Sequence, residues 1–271
     1  MAPRTLPIYP VNLGLALQQG WQGLWANRWN LVGFSLTATA LHLLGWALFA
    51  AGHDTGSGIL NALLRLVGVP LYFLSLLWLI QGLTRGGLDA AAGHRPRWRE
   101  LCRWSASDGL RLGLSLLTAA AGLALAALIG FVGWSLVIFL APALSVVAIL
   151  LALVLLGGVA LSQVFNACLV LAADQSPSGA FRIGLRTLER RWPTLLGLGA
   201  ACSGLALVPL ALGLLAEALV QGQGVLATGI ALLVVIPWIS GMVTATYRQL
   251  FSPVVPRSEV AAGTGWPGNN G

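Results

Sequence analysis

Long apolar runs alternate along this chain with short polar segments, and the apolar runs have the length of a bilayer crossing. About 20 apolar residues span the hydrocarbon core as an α-helix. Residues 31–51 form one such run and residues 61–83 a second; residues 193–217 and 225–248 form the last two. Between them, residues 112–173 hold 62 positions without a charged residue or a histidine. That length fits two long spans or three short ones. The flanks decide: Arg85, Arg95, Arg97, Arg99, Arg103 and Arg111 lie before it, and Arg182, Arg186, Arg190 and Arg191 after it. Loops rich in arginine stay on the cytoplasmic side, so both flanks share a compartment and the region crosses twice, over 110–131 and 144–173. The turn is expected near 130–134. The pattern therefore predicts an all-α polytopic membrane bundle of six transmembrane helices. Residues 1–29 form an N-terminal cytoplasmic segment, residues 30–251 the membrane domain, and residues 252–271 a disordered cytoplasmic tail rich in glycine.

Composition agrees. Hydrophobic residues make up 57% of the 271 residues and charged ones 8%, against about 25% charged in soluble domains. A soluble globular domain and a disordered chain are both excluded. Three cysteines in this length make no disulfide framework. The net charge of +7 is spread too thinly between apolar runs to suggest nucleic acid. All fifteen basic residues are arginine. Six spans with both termini inside put every arginine except Arg65 on one face, with His53, Asp54 and Glu217 in the opposite loops. A bacterial cytoplasmic membrane is the expected location. Residues 1–10 have no apolar core of the kind a signal peptide needs, so the first span is expected to be retained.

A threefold unit is also visible. Each hairpin of spans is preceded by a segment that reads as an interfacial amphipathic helix. In residues 178–192, Phe181, Leu185, Leu188 and Trp192 share a face, away from Arg182, Arg186, Glu189 and Arg190. Ser176 and Pro177 supply a cap and a first-turn residue. In residues 97–107, Trp98, Leu101, Cys102 and Ser105 oppose Arg99, Glu100 and Arg103. In residues 13–29 the stripe is Leu13, Leu17, Trp21 and Leu24. The units restart every ~80 residues, and internal repeats of this kind occur in transporter folds.

Polar residues within spans are the candidates for function. His42 lies mid-span, as a proton relay or a solute-binding group, or as a neutral ring bonded across a helix interface. Arg65 and Glu217 lie at the outer ends of their spans, as a pair or apart, with Asp54 as a rival partner. Gln81, Gln163, Asn166 and Tyr247 either line a cavity open to the cytoplasm or bond between helices. Arg97, Arg99, Arg103, Arg182, Arg186 and Arg190 are candidate contacts for anionic headgroups or a protein partner. Thr118, Gly122, Ala126 and Gly130 form a small-residue stripe for packing, internal or between copies. No catalytic motif, metal-ligand spacing or cofactor signature is present.

Residues 174–177 (Asp-Gln-Ser-Pro) lead into the arginine-bearing helix at 180–192. A last span with Gly229 and Pro237 follows, leaving through Tyr247 and Arg248. Over residues 157–251 this resembles bacterial six-span integral membrane proteins related to the membrane domain of glycerophosphodiester phosphodiesterases. The resemblance implies a fold and a membrane; the phosphodiesterase domain is missing, so no activity carries over. The expectation is a non-catalytic membrane protein with an accessory, assembly or lipid-interacting role through a basic cytoplasmic face. The alternative is a permease or transporter subunit for a small solute or lipid.

Overall fold

A computed structural model describes residues 7–52 and 57–251. Among them the chain is all-helical, with no strand. The helices are α1 (Leu13–Ala26), α2 (Arg28–Ala51), α3 (Gly58–Ala91), α4 (Trp98–Cys102), α5 (Ala106–Leu140), α6 (Ser145–Ser162), α7 (Asn166–Leu171), α8 (Pro177–Leu219) and α9 (Gly224–Phe251). Among the described residues six helical stretches are long and apolar enough to cross a membrane: α2, α3, α5, residues 142–171, α8 and α9. The expected tail 252–271 and the loop residues His53 and Asp54 lie outside the described residues.

Side-chain caps start the helices where the sequence offers them. Asn12 Oδ1 accepts from the Leu15 amide, and the Ser105 and Ser176 hydroxyls accept from the amides of Asp108 and Gly179. Each satisfies an amide that the first turn leaves unpaired.

Glycines set how closely the helices approach. A Cβ at Gly45 of α2 would lie 2.6 Å from the Tyr72 nitrogen of α3, and one at Gly68 of α3 would lie 2.6 Å from the Phe49 nitrogen of α2. The two backbones touch at both places, which a side chain forbids. The same contact seats α1: a Cβ at Gly20 would meet the Met242 nitrogen of α9 at 2.7 Å.

The best-buried side chains form two clusters. One joins Phe165, Leu169, Leu195, Leu198, Leu250 and Phe251 from the α7–α9 region. The other joins Leu24, Leu31, Phe34, Leu83 and Leu101. The far ends of α5 and α6 instead display large apolar groups outward, with Phe139 90%, Leu140 84% and Val146 64% exposed. In lipid such exposure carries no hydrophobic penalty, because the acyl chains are as apolar as leucine.

Several boundaries differ from the sequence reading. The third span does not turn at 130–134. α5 runs on to Leu140, and the turn is a short 3-10 segment, Pro142–Leu144. Gly130 is absorbed because its missing side chain lets Ala152 of α6 approach, at 2.7 Å from a Cβ placed there. Proline, which fixes φ and lacks an amide hydrogen, opens the new segment instead. The fourth span is broken at 163–165, between α6 and α7. Residues 97–107 are not one helix: α4 is a single turn, after which Ser105 caps α5. Residues 178–192 are joined to the fifth span in α8, with Arg191 leaving helical geometry (φ −137°, ψ 35°) just before Pro193. The residue before a proline is sterically driven out of the α region, although here the departure falls two residues before it.

The packed faces of two amphipathic segments also differ from the apolar stripes. In α1 the buried residues are Ala16, Gly20 and Leu24, while Leu17 is 36% exposed. In α8 they are Ala180, Ile183, Gly184 and Thr187, while Leu185 and Trp192 are 38% and 57% exposed. Small residues pack on protein beside Leu24 and Ile183, while Leu17, Leu185 and Trp192 face outward. In water the large apolar residues would mark the core; in lipid the close backbone approach selects the small ones.

Candidate functional site

Specific bonds gather the arginine-bearing segments at one end of the bundle. Arg85 of α3 donates through Nη2 to Asp108 Oδ2 of α5 at 2.6 Å and through Nη1 to the Arg103 carbonyl at 2.7 Å. Arg111 of α5 pairs with Asp174 and donates to the Gln175 carbonyl at 3.1 Å. Arg248 of α9 donates to the Leu88 carbonyl of α3 at 3.3 Å. Asn30 at the start of α2 reaches the Pro96 carbonyl at 2.9 Å. Asp174 adopts a left-handed conformation, φ 53°, a region short polar side chains tolerate. It turns the chain between α7 and α8, so Asp174 to Pro177 acts as a structural corner.

At that end two cavities share the wall formed by residues 103–109. One is a charged basin of about 420 Å³, lined by Arg85, Asp89, Glu100, Arg103 and Asp108 among others. The other is a cleft of about 750 Å³ between α3 and α5, lined by apolar groups that include Phe73, Leu77, Trp104, Gly113 and Leu117. Arg103, Ser105 and Asp108 face the basin; Trp104, Ala106 and Gly109 face the cleft. Within the basin Arg85 is committed to Asp108, and Glu100 Oε2 accepts the Arg97 amide at 3.0 Å. The Arg103 guanidinium is exposed and the Asp89 carboxylate half-buried, and neither side chain has a hydrogen-bond partner among the described residues. This site was not legible as a unit, because its members come from α3, α4 and the start of α5, and only packing joins them. The density of charge in 85–111 was the signal that pointed there.

The other sequence candidates fall elsewhere. His42 Nδ1 lies 3.1 Å from the Tyr72 carbonyl and 3.3 Å from Ser75 Oγ, with its ring 4.0 Å from that of Tyr72. It joins α2 to α3. Arg65 and Glu217 do not pair: Arg65 Nε donates to the Gly52 carbonyl at 3.1 Å, and Glu217 accepts the Gly222 and Gly224 amides at 2.9 and 2.8 Å. Each side chain bonds backbone groups nearby in its own stretch of chain. Gln81, Gln163, Asn166 and Tyr247 line neither cavity. Gln81 is fully buried and donates to the Ser105 carbonyl at 3.3 Å, which holds the wall of the basin against α3. Gln163 donates to Ser162 Oγ at 2.7 Å, Asn166 bonds Ser115, and Tyr247 packs its ring near Phe165 and Phe251. Of the arginine candidates, Arg103 alone lines the basin. Arg97, Arg99, Arg182, Arg186 and Arg190 are exposed on the outer surface. The stripe of Gly122 and Gly130 packs internally, against Phe181 and Ala152.

No group of three or more potential metal ligands occurs among the described residues. Comparison of the chain with protein-family models, with curated proteins and with solved structures finds no match.

Proposed function

We propose that the chain is a non-catalytic integral membrane protein, with an accessory or assembly role, that works by holding its arginine-bearing end against anionic lipid headgroups. The observation that carries this is the outer surface of the first part of α8. Arg182, Arg186 and Arg190 are exposed there together with Leu185 and Trp192. A surface that offers guanidinium groups and large apolar groups side by side suits the boundary between headgroups and acyl chains. In this reading α2–α3, α5–α6 and the latter part of α8 with α9 are three hairpins. α1, α4 and the first part of α8 lie before them at the interface, and both termini face the cytoplasm of a bacterial inner membrane.

Lipid retention tests it. The full chain, purified in mild detergent from membranes containing phosphatidylglycerol and cardiolipin, is expected to retain anionic lipid above its share of the membrane. The variant R182Q/R186Q/R190Q is expected to lose that excess. Equal lipid composition in the two preparations would sink the proposal.

A further inference from the structure

We infer that the α3–α5 cleft and the charged basin beside it form one binding site for a single phospholipid whose headgroup carries both a phosphate and a primary ammonium. This rests on the reading that the arginine-bearing end lies at a headgroup layer, and it adds a defined occupant.

Geometry supplies the first argument. The cleft is walled on α5 from Ala106 to Ala120, a rise of about 21 Å at the helical 1.5 Å per residue. One leaflet of the hydrocarbon core is about 15 Å deep. The cleft thus covers one leaflet, starting at the arginine-bearing end, and its apolar lining accepts one acyl chain. Residues 103–109 border both spaces, Trp104, Ala106 and Gly109 lining the cleft and Arg103, Ser105 and Asp108 the basin.

Charge supplies the second. The basin holds two guanidinium groups and three carboxylates. Arg85 and Asp108 neutralise one another, while Glu100 keeps its charge and accepts the Arg97 amide through one oxygen. One cation, Arg103, and one anion, Asp89, remain without hydrogen bonds among the described residues. A purely anionic headgroup would satisfy Arg103 and face the Asp89 carboxylate, which has Glu100, His94 and Arg248 near it but no hydrogen bond among the described residues. A headgroup with a phosphate and an ammonium satisfies both, the phosphate as acceptor from Arg103 and the ammonium as donor to Asp89. A quaternary ammonium has no N–H to donate, so a choline headgroup leaves Asp89 unpaired.

The test uses the full chain in detergent, with occupancy by added phosphatidylethanolamine, phosphatidylcholine or phosphatidylglycerol read by native mass spectrometry. One phosphatidylethanolamine per chain is expected to survive activation that strips the other two. Asp89→Asn is expected to lower the preference for phosphatidylethanolamine over phosphatidylglycerol about tenfold, and Arg103→Gln to lower retention of phosphatidylethanolamine by a similar factor, the scale of one lost charge-assisted bond. Gly113→Leu blocks the cleft: a Cβ there meets only Leu77 Cδ1, at 3.7 Å, so the helices keep their packing while the longer side chain fills the space. It is expected to abolish retention. Retention unchanged in both Arg103→Gln and Gly113→Leu, or a wild-type preference for phosphatidylglycerol or phosphatidylcholine, overturns the site. R182Q/R186Q/R190Q separates the two readings, because it removes anionic lipid from the outer surface and leaves cleft occupancy intact.

Discussion

Ser115 of α5 and Asn166 of α7 bond each other twice, with both side chains buried: Ser115 Oγ donates to Asn166 Oδ1 at 2.5 Å, and Asn166 Nδ2 donates to the Ser115 carbonyl at 3.2 Å. α7 is only six residues long, too short to be stable alone, and this pair helps fix it against the bundle. Interhelical bonds within membranes are worth about 0.6 kcal/mol on average, with a maximum near 1.7. Asn166→Ala breaks both bonds and is expected to destabilise by about 1–2 kcal/mol. Ser115→Ala leaves its carbonyl in place and is expected to cost about half as much. A double-mutant cycle in thermal or denaturant unfolding checks this; additive single effects would show that the two residues are not coupled.

The α2–α3 contact makes a sharper contrast. Gly45→Ala places a methyl group against the Tyr72 backbone, and overpacking of this kind costs about 1–3 kcal/mol. Gly204 of α8 has nothing within 4 Å of a Cβ. Gly204→Ala therefore gains helix propensity without a clash and is expected to be neutral or stabilising by up to about 1 kcal/mol. Melting temperatures of the two variants in one detergent should move in opposite directions, or at least differ clearly.

How much was legible follows from what each signal encodes. The six apolar runs were readable because a bilayer imposes a length on every crossing, and six helices of that length are found. The turn between the third and fourth spans was misplaced because Gly130 serves packing against Ala152, not chain reversal. The stripes on α1 and α8 read as the apolar faces of interfacial helices, and Leu17, Leu185 and Trp192 do point outward; what the stripes do not show is that Ala16, Gly20 and Gly184 pack on the bundle. Apolar periodicity marks the core only where water lies on the other side. The basin was hidden because Asp89, Arg103 and Asp108 are brought together by the α3–α4–α5 corner, and no spacing in one chain segment records that.

Asp174 tests whether the corner before α8 depends on backbone or on charge. Its side chain is 85% exposed, so its pair with Arg111 contributes at most about 1 kcal/mol. Its φ of 53° is the stronger constraint. Asp174→Asn keeps tolerance of the left-handed region and is expected to change stability by less than about 1 kcal/mol. Asp174→Val combines a lost pair with a branched side chain in that region and is expected to cost more than about 1 kcal/mol. If Asn proves as damaging as Val in unfolding experiments, charge governs the corner.

Cys102 lies outside the membrane-spanning helices, at the end of α4, and burial pushes its thiol above the usual range. The thiolate is the reactive form, so a raised value leaves less of it near neutral pH. Alkylation of Cys102 is expected to be slower than that of a free thiol at pH 7.5. The rate should still be rising at a pH where the free thiol has reached its plateau. Peptide mass spectrometry after timed iodoacetamide treatment reads this residue separately from Cys168 and Cys202. A rate profile that overlays the free thiol would mean that α4 opens to water readily.

Side-specific labelling checks the topology on which the functional proposal stands. Cysteines introduced at Arg97, Arg186 and Gln223 in a background without native cysteines place a probe at both ends of the bundle. Arg97 and Arg186 lie in the arginine-bearing segments, and Gln223 lies in the turn between α8 and α9. Loops rich in arginine remain cytoplasmic, so a membrane-impermeant maleimide added to intact cells with a permeable outer envelope is expected to label Gln223→Cys only. In inverted membrane vesicles it should label Arg97→Cys and Arg186→Cys and spare Gln223→Cys. Labelling of Arg186→Cys from outside would place the basic surface of α8 away from the cytoplasmic headgroups. The lipid-anchoring role proposed for it would then fail, whatever the occupancy of the cleft.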